Sequence, residues 1–150
     1  MEARNVVGYT LLKIAAIYMM VGLSIGLFMG VSQSFGLISV HSHVGLLGWV
    51  TMAVTGLIYV ATPQCDGNRL SKAHFWLHNV GLPIMAASLV WIQYGGGDAA
   101  EAGAGVGSIV VMIALLLFTL NLFLNGNRAR TRMAETQAEP VRRPEETVRI

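Results

Sequence analysis

The residues able to do chemistry in this chain are four histidines, His41, His43, His74 and His78, each set in a long stretch without any charged side chain. Ionisable groups inside apolar spans are costly and usually functional. The histidines fall into two pairs with different geometry. Residues two apart on a helix are turned by about 200°, so His41 and His43 point to nearly opposite faces and cannot chelate one metal ion. They suit two different neighbours, such as a haem within the bundle and a group at a subunit contact. His74 and His78 are four apart and share a face, one turn between them. That spacing can chelate one zinc or copper ion. It cannot place both rings on opposite sides of one haem iron, because a single helix cannot occupy both faces of the macrocycle.

His41 and His43 open one apolar segment, and His74 and His78 open the next at its other end. A rise of 1.5 Å per residue then separates the two pairs by roughly 20 Å of membrane depth. The expectation is two sites, with His43 and His78 as the iron ligands. His41 and His74 also suit the plainer role of first-turn histidines solvated at an interface. Met29 falls at the depth of His43 and is a candidate sixth ligand.

The elements that must position these side chains follow from charge. The chain has 150 residues, 54% hydrophobic and only 12% charged, against about 25% charged in a soluble domain. Residues 14–65, 73–97 and 102–127 contain no Asp, Glu, Lys or Arg. A helix needs about 20 apolar residues to cross a bilayer, so the first run holds two crossings and the others one each. The expected architecture is all-α, a four-helix transmembrane bundle with helices near 9–31, 40–61, 73–94 and 103–124, forming one domain over 1–124. Residues 125–150 are charged and contain Pro140 and Pro144, and are expected to be a disordered tail. The start of the chain continues too far in apolar residues to read as a cleaved signal peptide.

All ten basic residues fall on the side shared by the N-terminus, the middle loop and the tail, whereas the opposite loops carry only Asp98 and Glu101. The positive-inside rule therefore puts both termini in the cytoplasm and the protein in the inner membrane. The pI of about 9.0 reflects this segregation and not a nucleic-acid surface. The single cysteine, Cys65, excludes an internal disulfide and a Cys-x-x-Cys-His haem attachment. Trp49, Tyr59, Trp76, Trp91 and Tyr94 suit aromatic belts. Gly22, Gly26 and Gly30 make a flat stripe for close helix approach, within the bundle or between subunits, and Gly103 and Gly107 repeat it. Pro83 frees the carbonyl of Asn79 and should kink the third helix.

The stretch His41-Ser-His43-Val-Gly-Leu-Leu-Gly48-Trp49, continuing through Gly56-Leu-Ile-Tyr59 to Pro63, resembles the second helix of haem–copper oxidase catalytic subunits, including nitric-oxide reductases. His74-Phe-Trp-Leu-His78-Asn-Val-Gly81-Leu-Pro83 extends the likeness to small four-helix relatives of that subunit, so that it covers about residues 10 to 95. The resemblance implies part of the subunit I fold and an axial histidine to a low-spin haem b from the outer end of the second helix. The family also implies six metal-binding histidines on about twelve helices. With four histidines, this chain is not expected to build the gas-reducing centre, and the second axial ligand must be Met29 or a histidine of a neighbouring subunit, or be missing.

The expected function is a haem-b-binding membrane protein, with one or two haems per subunit, in electron transfer or in gas or haem handling. At most it is an oxidoreductase subunit. Expected partners are the bilayer, further copies of the chain, and a quinone or cytochrome redox partner. The alternatives are a haem-free copper or zinc assembly factor using His74 and His78, with Cys65 as a further ligand, and a structural accessory subunit.

Overall fold

The computed structural model describes residues 6–138, with side chains through residue 126. Four helices are long and apolar enough to cross a membrane: α1 (Val6–Ser32), α2 (Ile38–Ala61), α3 (Arg69–Gln93) and α4, assigned over Gly97–Ala138 with its apolar span over Gly97–Gly126. The all-helical, four-span architecture expected from the uncharged runs is the one observed. The part of the expected tail between 125 and 138 continues α4 as helix, whereas 139–150 lie outside the described residues.

In lipid the apolar surface gives helices little reason to associate, so close packing and polar contacts must hold the bundle. Close packing is visible where α1 crosses α2. A Cβ on Gly8 would lie 3.0 Å from the Gly56 carbonyl oxygen, and one on Gly56 would lie 3.0 Å from that of Gly8. Farther along the same crossing, a Cβ on Gly48 would enter the Tyr18 ring at 2.7 Å. The α3–α4 contact uses the same device, since a Cβ on Gly107 would meet the Met85 backbone nitrogen at 2.6 Å. The glycine stripe of α1 is therefore used within the bundle at Gly22, beside Val44 and Gly45, and at Gly26, beside His41. Gly30 faces open space.

The polar contacts gather at the end where α2 passes into α3. Asp66 accepts from the amides of Val7 (3.2 Å) and Gly8 (3.3 Å), satisfying donors that the first turn of α1 leaves without helical partners. Asn68 caps α3, accepting from the Ser71 amide at 2.9 Å. It also donates to the Oδ1 of fully buried Asn121 in α4 at 2.7 Å, and Asn121 donates to the Cys65 carbonyl at 2.8 Å. The start of α1, the α2–α3 connection and the middle of α4 are thus tied together at one end of the bundle.

Two features depart from a set of regular rods. Residues Val44–Thr51 of α2 form a π-helix, the wider turn often found at functional sites. The cap at Asn68 also starts α3 at Arg69, four residues before the position expected from hydropathy. Helix α3 then continues unbroken through Pro83.

Candidate functional site

His74 and His78 are both fully buried in the bundle, which overturns the reading of His74 as a solvated interfacial residue. Their rings lie 5.6 Å apart and perpendicular, as neighbours one turn apart on a shared face. His74 places Nδ1 at 3.2 Å from the Tyr59 hydroxyl, and the edge of Phe118 from α4 packs on both rings at 5.4 Å. His78 places Nε2 at 3.1 Å from the Leu47 carbonyl. A carbonyl can only accept, so Nε2 carries the proton and Nδ1 of the neutral ring keeps its lone pair. His78 Nδ1 and His74 Nε2 are buried without a hydrogen-bond partner in the protein.

The contact to Leu47 corrects the depth expected from the sequence. Leu47 is four residues from His43, a rise of only about 6 Å. His78 lies nine residues into α3 instead of one turn, because the helix begins at Arg69. The 20 Å separation is therefore wrong: the two histidine pairs occupy adjoining levels of the bundle.

The opposed directions of His41 and His43 hold. His41 turns to α1, with Nδ1 at 2.9 Å from the Gly22 carbonyl and its ring against Gly26. His43 turns away, to a groove of about 320 Å³ lined also by Leu47, Met85, Ser108, Val111, Met112 and Leu115. Its Nδ1 lies 2.8 Å from the Ser39 carbonyl. The proton is thereby fixed on Nδ1 and Nε2 is left with a lone pair, the arrangement in which a carbonyl orients an imidazole toward a metal. Met29 is buried on α1, the helix that His41 faces, whereas His43 looks to the side of α3 and α4.

The groove has a definite construction. Helix α2 supplies His43 and Leu47, α4 supplies Ser108 through Leu115, and Met85 of α3 lies between them. Toward the other end, α2 and α4 meet through Tyr59 and Phe118. The volume lies at the low end of small-ligand sites.

Part of the chain is similar to a known protein. Over 58 residues it is 36% identical to cytochrome c oxidase subunit 1 of Rhodobacter capsulatus. The matched stretch is 35% of this chain and 11% of the oxidase subunit, so this chain spans about a ninth of that relative's length. No family description matches the chain, and no solved structure matches it. The match supports a relation to haem–copper oxidase subunit I at most, over part of the sequence.

Among the described residues, no three His, Cys, Asp or Glu side chains converge as a metal centre. Cys65 directs its sulfur at the Asn121 carbonyl, 3.8 Å away, inside the asparagine cluster. The groove offers one imidazole nitrogen with a free lone pair on an apolar wall, a donor of the kind that iron takes. The Asn68–Asn121 cluster was not among the sequence candidates. Asn121, an amide set in the middle of an apolar stretch of α4, was the signal that could have found it.

Proposed function

We propose that this chain is an integral membrane protein of the inner membrane that would bind haem b through His43 and act in electron transfer or in gas or haem handling. The observation that carries this reading is the His43 ring itself. It sits on an apolar groove with Nδ1 held at 2.8 Å by the Ser39 carbonyl, so the remaining nitrogen is a preoriented donor to iron. The partial likeness to an oxidase subunit supports the same assignment. Bound haem would supply one-electron exchange or diatomic-gas binding.

The residues of this chain have separable parts in that function. His43 would hold the group, Ser39 fixes the His43 tautomer, and Leu47, Val111 and Leu115 make the surface beside it apolar. His41, turned to α1 and held by Gly22, keeps α2 in the rotation that presents His43 to the groove. The test is an absorption spectrum of the purified full chain. A Soret band in the wild type that is lost or altered in His43→Ala, with the fold retained by circular dichroism, is the expected result. An unaltered spectrum in His43→Ala would remove the assignment.

A second reading is favoured by one specific observation, the two buried ring nitrogens without partners on His74 and His78. A soft monovalent copper ion accepts few ligands, and two imidazoles on one helix face can offer two. Metal analysis of protein without a Soret band, with copper lost in His74→Ala, would support this reading over the first.

A further inference from the structure

A groove of about 530 Å³ opens between the first turns of α1 and of α3, at the end of the bundle that holds the Asp66 and Asn68 contacts. Its walls are apolar, with Val6 and Val7 on α1 and Phe75 and Trp76 on α3. One cation stands among them, Lys72 in the first turn of α3. Lys72 is exposed, and among the described residues its ammonium has neither an ion pair nor a hydrogen bond. The other polar side chain of the lining, Thr10, donates its hydroxyl proton to the Val6 carbonyl. The nearby carboxylate of Asp66 is engaged by the amides of Val7 and Gly8. The groove therefore offers a ligand one free positive charge beside apolar walls.

We propose that this groove binds an anionic phospholipid, with the phosphate on Lys72 and one acyl chain against Val6, Phe75 and Trp76. The depth suits that ligand. Lys72 and Trp76 are one turn apart on a shared face, about 6 Å along α3, and Trp76 is 66% exposed. A tryptophan at the end of a span stands at headgroup level, so the ammonium lies where phosphates are. Further cations flank the groove. Arg69 precedes Lys72 by three residues and Lys13 follows Thr10 by three, positions that adjoin on a helix surface, and both are exposed. Basic pockets between helices attract anionic headgroups in this way. A neutral phospholipid would fill the walls equally, but it carries its own cation beside the phosphate and gains less from Lys72. The site shares no lining residue with the His43 groove, so it does not depend on what the histidines hold.

The experiment reads tryptophan quenching by brominated lipids in the full chain, reconstituted in vesicles, with circular dichroism as the folding control. The chain has three tryptophans. With Trp49→Phe and Trp91→Phe, Trp76 alone reports the groove. With Trp49→Phe and Trp76→Phe, Trp91 reports the far end of α3, where it is 52% exposed. At equal mole fraction, brominated phosphatidylglycerol should quench Trp76 more than brominated phosphatidylcholine does, and the two should quench Trp91 equally. Lys72→Gln should reduce the preference at Trp76 about fivefold, the effect of one basic residue near the headgroups, and Lys72→Arg should keep it. Native mass spectrometry of the wild-type chain, released from a mixture of the two lipids without bromine, should show retained phosphatidylglycerol, and less of it in Lys72→Gln. Equal quenching of Trp76 by both lipids, or a preference unchanged in Lys72→Gln, would overturn the proposal. A Trp76 that neither lipid quenches would also overturn it, since the groove would then be filled by the first residues of the chain or by a second copy. The same preference at Trp91 as at Trp76 would reduce the effect to general attraction of the protein for anionic lipid and remove the site.

Discussion

His78 donates from Nε2 to the main-chain carbonyl of Leu47 across 3.1 Å, fastening α3 to α2 within the segment where α2 is π-helical. The wider π turn alters the i to i+4 ladder, and side chains take up carbonyls there. Thr51 donates to the Leu46 carbonyl at 2.8 Å, next to the one taken by His78. The same bond sets the relative depth of the histidine pairs.

Removal of that bond should be measurable as stability. In His78→Leu the Leu47 carbonyl loses its buried donor, which costs about 1–3 kcal/mol when a polar group is left unsatisfied. Thermal or denaturant unfolding in detergent should show a lowered midpoint. An unchanged midpoint would mean that the π segment closes into regular helix and recovers the carbonyl within α2.

The glycine stripe should be unequal along its length. A Cβ on Gly26 would come within 3.0 Å of the His41 ring, whereas one on Gly30 meets nothing within 4 Å. Gly26→Leu should therefore push α1 from α2 and reduce assembly and thermal stability, and Gly30→Leu should leave both near wild type. Equal losses in the two variants would place a second copy of the chain against Gly30.

Asn121 holds three segments together and should be the most sensitive polar position at its end of the bundle. Its amide donates to the Cys65 carbonyl, and its Oδ1 accepts from Asn68 and, at 2.8 Å, from Asn125. Asn121→Leu leaves these groups unpaired, with an expected loss of about 1–3 kcal/mol for each that stays buried. A double-mutant cycle of Asn121→Ala with Asn68→Ala measures the coupling, which should be clearly non-zero. Additive losses would show that the two side chains act separately.

The sidedness of the spans is tested by tags. Asp66 caps the first turn of α1, so the start of α1 and the α2–α3 connection share one side, and Asp98, past the far end of α3, lies on the other. The positive-inside rule predicts that the first side is cytoplasmic. A reporter inserted at Gly67 should read the cytoplasm and one at Asp98 the outer compartment. The same compartment from both would break the four-span arrangement.

Much of this was written into the sequence. Uncharged runs decide a membrane location because a charge within a bilayer is costly wherever it stands along the helix. The opposition of His41 and His43 and the pairing of His74 with His78 follow from a turn of 100° per residue, which holds before any packing is known. Both survived in the structure. The start of α3 was also legible in principle, since Asn68 is a preferred cap residue, but hydropathy alone placed it at Ala73 and displaced the depth estimate with it.

What only the tertiary structure decided depends on contacts between segments distant in the chain. The π turn of α2 has no local sequence marker, and it is supported by His78, thirty-one positions away along the chain. The use of Gly26 against His41, and the open space beside Gly30, follow from where α1 crosses α2 and not from glycine spacing. Met112 shows the limit most clearly. In a run of Val, Ile and Leu its periodicity is that of any lipid-facing residue, and nothing local separates it from Met29. Only the placement of α2 and α4 on either side of α3 sets it on the same groove as His43, because the neighbours of a side chain are fixed by helix packing and not by the segment that carries it.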